Sequence, residues 1–390
     1  MAENSAIEWT DHTASPWHGC SERTFDGEIP DHPGCDHCYA RQFSLRNPAV
    51  LGVWGEQGVR VKSKSFVKNL RSWQRSAARR GVIESVFPSI CDPFEDRPEL
   101  EPWRREMFQV IDECPNLRLL LLTKRPENIG RMWPAYFPGG YVPEAGRMNR
   151  EELRPNVWLG TSISNQATAD RMIPELLKCR DLSPVLFLSA EPLLGPIDLG
   201  LSTATCQCCK RLPSRWINLR RQVTGDSPFS SLRVMPGTYR AESNRHGALS
   251  VRCEGGQPLG IMPSEMNVMG PIDWVICGGE SGYWARPMHR IWARFLRDQC
   301  VAAGVPFFFK QWGEWQNGSS PGDVDHAIVL SNGEWLRNPT PEEIRAKDRD
   351  LGFRWNELDP ISMAKVGKVA AGRLLDGQEW SQFPLVASSI

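Results

Sequence analysis

Three cysteines carry the strongest chemical signal in the chain. Cys20, Cys35 and Cys38 lie in PWHGCSERTFDGEIPDHPGCDHCYARQF, a Cys-x14-Cys-x2-Cys spacing with glycine before the first and second thiol. Three thiolates from one loop can hold three irons of a four-iron cluster and leave the fourth iron open to an outside ligand. A structural zinc wants a fourth protein ligand, and His18, His32 or His37 stands in the same stretch to supply one. On spacing alone both metals remain open. A second group, Cys206 and Cys209 with Cys253 and His246 far downstream, resembles half of a zinc ribbon, set against the plainer reading of free thiols or a decayed ribbon.

Other chemistry-bearing residues fall at the ends of short apolar runs. Val86–Cys91, Leu117–Thr123, Val157–Ser162, Val185–Ala190, Trp274–Cys277 and Val305–Phe309 read as buried parallel strands. The stretches Leu100–Ile111, Gln166–Leu177 and Ile291–Ala303 carry apolar residues near the helical period. Alternating strand and helix predicts βαβ units and a parallel sheet or barrel. In such folds the carboxyl ends of the strands form the active face. Here they present Asp92, Thr123 and Lys124, Ser162 with Asn165, Glu191, the Gly278-Gly279-Glu280-Ser281 turn, and Lys310 with Gln311. Any one of these is ordinary loop polarity; the recurrence is what points to a site.

Lysine plus arginine equal aspartate plus glutamate, 46 against 46, which excludes a uniformly basic nucleic-acid coat. Local surfaces still depart from neutrality. Arg60 to Arg80 holds eight basic residues and no acidic one. On a helix Lys64, Lys68, Arg71, Arg75 and Arg79 share an arc of about 80°, opposite Phe66, Leu70, Trp73 and Ala77. Like charges at this spacing repel, so a polyanion-facing role competes with a merely solvated face. Between Cys206 and Cys253 nine basic residues face two acidic ones, a second patch suited to phosphate.

The acidic start lacks the features of a signal peptide, and no apolar run reaches membrane-spanning length. The expectation is a cytoplasmic protein with no membrane partner, whose twelve cysteines serve metal or thiol chemistry rather than disulfides. Four segments are expected: 1–200, the first part of the barrel with the cysteine loop; 201–271, a basic cysteine-containing insertion without a strong strand pattern; 272–316, the rest of the barrel; and 317–390, an extension packed on it. That extension reads as polar and turn-rich to Arg349, then helical around Met363 to Leu375.

The stretches IEWTDHTASPWHGC, PGCDHCYA, LLTKRPEN, NVWLGTSISNQ, SAEPLLGPIDL, DWVICGGESG, ARPMH, FFFKQWGEW and VGKVAAGRLLDG carry a resemblance. The chain is similar to uncharacterised phage-associated proteins with a radical S-adenosylmethionine (SAM) type three-cysteine motif, distantly similar to spore photoproduct lyase. Its Cys-x2-Cys-Tyr half matches closely, with Tyr39 where an aromatic residue shields the cluster; the first gap is longer than the usual Cys-x3-Cys. The resemblance implies a partial (β/α) barrel, and a [4Fe–4S] cluster on Cys20, Cys35 and Cys38 that is reduced by an electron donor. Its open iron chelates SAM, which is cleaved to a 5′-deoxyadenosyl radical. By the same resemblance Asp92 meets the methionine amino group, Ser162 and Asn165 meet the ribose or carboxylate, and Glu191 and the Gly278–Ser281 turn line the same face. Lys124 or Lys310 is placed to meet a carboxylate or phosphate. The basic surfaces suggest a nucleic-acid base as substrate. A peptide or small metabolite is the first alternative, and a non-catalytic zinc-containing DNA-binding protein the second.

Overall fold

The computed structural model describes residues 3–22, 32–134, 153–199, 272–318, 325–351 and 359–385, together with the backbone of three strands at 239–243, 249–253 and 258–262. Its framework is a seven-stranded parallel sheet of β1 (His12–Thr13), β2 (Glu84–Phe87), β3 (Leu117–Thr123), β4 (Val157–Ser162), β5 (Leu186–Ala190), β6 (Trp274–Gly278) and β7 (Phe307–Gln311). Neighbours in the sheet are neighbours in sequence. Because parallel crossovers share one hand, that order puts every intervening helix on one side, and the sheet curls into a half-barrel.

Strand alternation sorts the residues between the two faces. Val157 and Leu159, Leu186 and Leu188, Val275 and Cys277, and Phe307 and Phe309 face outward, into one core with the helices. That core takes Leu70 and Trp73 from α2 (Phe66–Arg80), Met107 and Phe108 from α3 (Glu101–Asp112), Met172 and Leu176 from α4 (Gln166–Leu177), and Trp292 and Leu296 from α5 (Arg290–Ala303). The concave face carries Phe87, Leu120, Trp158, Phe187, Trp274, Ile276 and Phe308, closed below by Trp9. Each such side chain contributes about 1.5–3 kcal/mol by leaving water. The helix α1 (Tyr39–Arg46) stands apart, leading out of the cysteine turn.

The last strand would be a free edge. It is covered by the chain's own tail: Phe309 N–H donates to the Trp380 carbonyl, and Phe307 N–H to Gln382 Oε1.

Three expectations change. The insertion does contain strands, a three-stranded antiparallel sheet of Tyr239–Ser243, Leu249–Cys253 and Pro258–Met262; Ser, Arg and Gly dilute its alternation. Cys206, Cys209 and His246 lie outside the described residues, as does the side chain of Cys253. In the extension, Met363 sits in a strand (Ile361–Lys365) of a four-stranded antiparallel sheet, and the helix there is only Lys368–Ala371. The eleven-residue helix α6 (Pro341–Leu351) occupies the stretch that read as turns. Its described residues bury no side chain, so no apolar stripe announces it. Trp315, Val329 and Met363 join the outer core, so the extension packs on the barrel. Among the described residues, no helix is long and apolar enough to cross a membrane.

Candidate functional site

Alternation continues upward on the concave face. Four residues beyond Leu120, Trp158 and Phe187, and two beyond Phe308, the same parity delivers Lys124, Ser162, Glu191 and Lys310 to the carboxyl ends of the strands. Aromatic side chains fill the floor and polar ones line the mouth.

The cysteine loop is fastened over this mouth from both sides. Cys20 follows a two-residue strand, Trp17–His18, that pairs antiparallel with Val61–Lys62. Gly19 between them bridges to Cys91 and has φ +102°, and a Cβ there would meet Arg60 Cδ at 2.8 Å. Two buried ion pairs hold the segment. Arg60 donates to both oxygens of Glu95, at 2.6 and 3.0 Å, and Ser21 donates its N–H and hydroxyl to Glu95 Oε1. Arg125 reaches Asp92 Oδ2 at 2.8 Å, the Ser21 carbonyl at 3.0 Å and Cys20 Sγ at 3.8 Å.

Cys35 closes a 3-10 turn, Pro33–Cys35, and Cys38 is the N-cap of α1, where a helix N-terminus favours a thiolate. Arg286 fixes this turn to the barrel: it donates to both oxygens of Glu280, to Asp36 Oδ2 at 2.9 Å and to the Pro33 carbonyl at 2.6 Å. His37 lies 3.3 Å from Glu280 Oε2. Asp36 and His37, the two residues between the cysteines, are thus tied to the Gly278–Ser281 turn.

Lys124 is the electrostatic centre. Burial alone would lower its pKa, but negative charge on Cys35, Cys38 and Cys20, followed by Asp92, raises it above the ordinary lysine value. All three cysteines therefore act electrostatically on one ammonium. Burial pushes the Cys20 thiol well up, against the pull of Arg125, so a metal group bound there would have to displace its proton. A cationic, desolvated pocket suits three thiolates once a metal group removes their protons.

The histidines divide. His32 is fully committed: Nδ1 accepts from Gly34 N–H, and Nε2 meets the Ser162 carbonyl at 3.0 Å, so neither nitrogen is left for zinc. In His18, Nδ1 faces the Val50 carbonyl while buried Nε2 has no hydrogen-bond partner. Among the described residues no three His, Cys, Asp or Glu side chains converge on a single metal ion. Cluster thiolates bind different irons and stand farther apart than that.

Several expected ligand contacts are occupied by protein. Asp92 accepts from Thr123 Oγ1 and Phe94 N–H on one oxygen, and from Lys124 N–H and Arg125 on the other. That fills its acceptor capacity and leaves nothing for a substrate ammonium. Burial works to raise its pKa, yet Arg125, Thr123 and the two amides hold it below the carboxylate range. Asn165 caps α4, its Oδ1 accepting from Thr168 N–H in a capping box, so helix initiation rather than ligand binding uses that oxygen. Tyr39 is 47% exposed and donates to the Ser89 carbonyl.

Glu191 and Lys310 pair at 3.1 Å. The strand between them, β6, contributes Gly278, where a Cβ would stand 2.6 Å from Glu191 Oε1. Gly279 packs as closely, its Cβ position 2.0 Å from the Trp312 carbonyl. Ser281 Oγ accepts from Gln311 Nε2, and Gln311 Oε1 stays buried without a partner. Among the described residues, the open polar groups of the mouth include the Lys124 ammonium, the Ser162 hydroxyl, whose contact with the Glu191 carbonyl is long at 3.5 Å, and Gln311 Oε1. The signal for Arg60, Glu95, Arg125 and Arg286 is weak: single charges without a repeating spacing, whose charged partners lie from six to 250 residues away.

The basic helix buries Phe66, Leu70, Trp73 and Ala77, the face expected of it, and starts after Lys64 and Ser65. It runs down the outer wall, antiparallel to the strands. Lys64 and Lys68 are therefore at the mouth end, and Arg80 at the opposite end, where it pairs with Glu84 at the start of β2. Arg71 is engaged by Glu113 at 2.8 Å, while Lys68, Arg75 and Arg79 are exposed.

Comparison with curated proteins gives no match, and comparison with solved structures gives none. The family described as DUF5131, protein of unknown function, matches residues 4–384, nearly the whole chain including the cysteine loop, the strand ends and the extension. The chain belongs to the DUF5131 family.

Proposed function

We propose that this protein is a radical SAM enzyme that holds a [4Fe–4S] cluster on Cys20, Cys35 and Cys38 and modifies or repairs a nucleic-acid base. One observation carries the reading: Cys20, Cys35 and Cys38, from a loop without a fourth cysteine, stand at the carboxyl-end mouth of a parallel half-barrel, fastened there by Arg125 at Cys20 and by Arg286 at the Pro33–Cys35 turn. When bound, such a cluster chelates SAM at its open iron and, once reduced by an electron donor, supplies the electron that cleaves it to a 5′-deoxyadenosyl radical.

The chain's own residues serve that chemistry in distinct ways. Arg125 and Lys124 offset the negative charge of the thiolates, and Cys38 sits on a helix N-terminus. Arg60–Glu95 and Arg286–Glu280 hold the two halves of the loop in register, since the ligands come from segments with fourteen residues between them. Ser162 and Gln311 Oε1 offer hydrogen bonds to a ligand in the mouth. The aromatic floor excludes water from below, which protects a radical from quenching. Nucleic acid is supported by Lys64 and Lys68 at the mouth end of α2 and by the charge surplus of the insertion; a base inside a duplex would have to be extruded to enter.

Reconstitution with iron and sulfide without oxygen tests the core of the proposal. The expected product has visible iron–sulfur absorbance that is lost in Cys20→Ala, Cys35→Ala and Cys38→Ala alike, and it releases 5′-deoxyadenosine from SAM under reduction, faster with DNA or RNA present. A protein that takes up one zinc and no iron overturns the reading in favour of a non-catalytic zinc protein.

A further inference from the structure

Immediately after the Gly278–Ser281 turn, two large aromatic rings stand in solvent. Tyr283 is 73% exposed and Trp284 55%, and the rings meet edge to face with centroids 4.7 Å apart. Exposed aromatic pairs are unusual enough to need a reason. Loose chain is not that reason here. The turn is pinned at Gly282, whose N–H donates to Glu314 Oε1 at 3.0 Å, and at the Tyr283 carbonyl, which accepts from Lys365 Nζ. Ala285 N–H bonds back to the Gly282 carbonyl, and the Ala285 carbonyl accepts from Trp315 Nε1 at 2.7 Å. Arg286 then returns to Glu280 and the cysteine turn. A fixed turn therefore holds both rings outward, two residues from Ser281 at the mouth.

Cations attend both rings. Lys365 Nζ is 5.0 Å from the Tyr283 ring centroid, and the Arg337 guanidinium is 5.9 Å from that of Trp284. The bonded surroundings, Gly282, Glu314 and Lys365, are polar or small, not the apolar, water-excluding ring that surrounds a protein-docking hot spot.

We propose that Tyr283 and Trp284 form a stacking platform for the unpaired bases of a single-stranded nucleic acid, delivering one nucleotide to the mouth. Bases present flat π-faces that stack on aromatic rings regardless of sequence, and cations beside such rings meet the phosphates that accompany the bases. The inference rests on the nucleic-acid reading above and assigns to it a contact made by rings rather than by the basic helix.

The test uses the full chain, a fluorescein-labelled oligothymidine, and the same strand carrying abasic sites, which keeps every phosphate and removes the stacking partner. Tyr283→Ala/Trp284→Ala should weaken oligothymidine binding by about tenfold or more, bind the abasic strand as the wild type does, and reconstitute iron to the wild-type level. Tyr283→Phe/Trp284→Phe, which keeps both rings, should restore most of the affinity. Unchanged oligothymidine affinity in the alanine variant overturns the platform and leaves the pair as a protein-docking patch, while the nucleic-acid reading stands. Equal weakening on both strands also overturns it, because charge or folding would then be responsible. If the wild type binds neither strand at low salt, the nucleic-acid reading and this inference fall together.

Discussion

Gly278→Ala isolates one contact of the mouth and allows its cost to be worked out. The backbone at Gly278 is not in the left-handed region, so alanine is tolerated by the chain itself, and the three atoms nearest the added Cβ all belong to Glu191, with Oε1 at 2.6 Å. Ordinary contact begins near about 3.5 Å, so the carboxylate must retreat by roughly 1 Å. Its distance to Lys310 is 3.1 Å, and that retreat takes the pair to the limit of an ion pair. Breaking a fully buried pair costs about 3–5 kcal/mol. These side chains are 13% and 18% exposed, and residual solvent reduces the expected loss to about 1–3 kcal/mol. In a Glu191→Ala/Lys310→Met background the obstacle is gone, and Gly278→Ala should be neutral or stabilising by up to about 1 kcal/mol, as alanine for glycine within a strand generally is. Urea denaturation of the four proteins, compared at constant slope, measures the difference. Equal cost in both backgrounds, within about 0.5 kcal/mol, would refute the claim that glycine is there to admit the Glu191–Lys310 pair.

The remaining expectations are independent of that contact. Arg125→Met leaves Asp92 buried and uncompensated and should cost about 3–5 kcal/mol in urea denaturation, with at least half recovered by adding Asp92→Asn; no recovery would mean that Arg125 acts mainly through the Ser21 carbonyl and Cys20. His289 is fully buried and its pKa lies below 6.5, chiefly through burial, against the opposing pull of Asp359. The unfolded chain therefore binds more protons, so stability should fall as pH drops from about 6.5 until His289 itself protonates in the folded state. His289→Asn, which keeps an acceptor for the Ile291 N–H of the helix cap, should flatten that part of the urea-midpoint profile, and an unchanged profile would count against the assignment. For nucleic-acid binding, Lys64→Gln/Lys68→Gln should lower the salt slope by about two, whereas Arg75→Gln/Arg79→Gln, at the far end of α2, should leave it unchanged; equal effects would mean that the whole outer stripe contacts phosphate.

Where burial follows a period, the sequence was readable. The stretch Gln166–Leu177 is helical to the residue, and Leu100–Ile111 is displaced by one. The buried face of α2 comprises the four residues its spacing indicates. Five of the seven strands, β3 to β7, were visible because both their faces are buried, which makes them short, continuous apolar runs bounded by polar residues; His12–Thr13 is too short to show a pattern, and the run Val86–Cys91 overlaps its strand, Glu84–Phe87, only at Val86 and Phe87. Ile361–Lys365 was not visible, because Met363 and Ala364 are consecutive and both buried, which breaks the alternation and mimics a helical pattern.

The sequence by itself determined the parallel α/β framework, the carboxyl-end location of the polar residues and the spacing of the three cysteines, because each is a matter of local period or short spacing. Only the tertiary structure decided what those polar residues do. Asp92 turned from a prospective ligand contact into a saturated anchor, and Asn165 into a helix cap. Arg60, Arg125 and Arg286, which carry no pattern of their own, became the ties that hold the cysteine loop. Charged pairs form wherever the folded chain brings opposite groups together out of water, over separations as large as Asp36 to Arg286. A pairwise contact of that kind leaves no period in the sequence, so it becomes visible only once the sheet has curled.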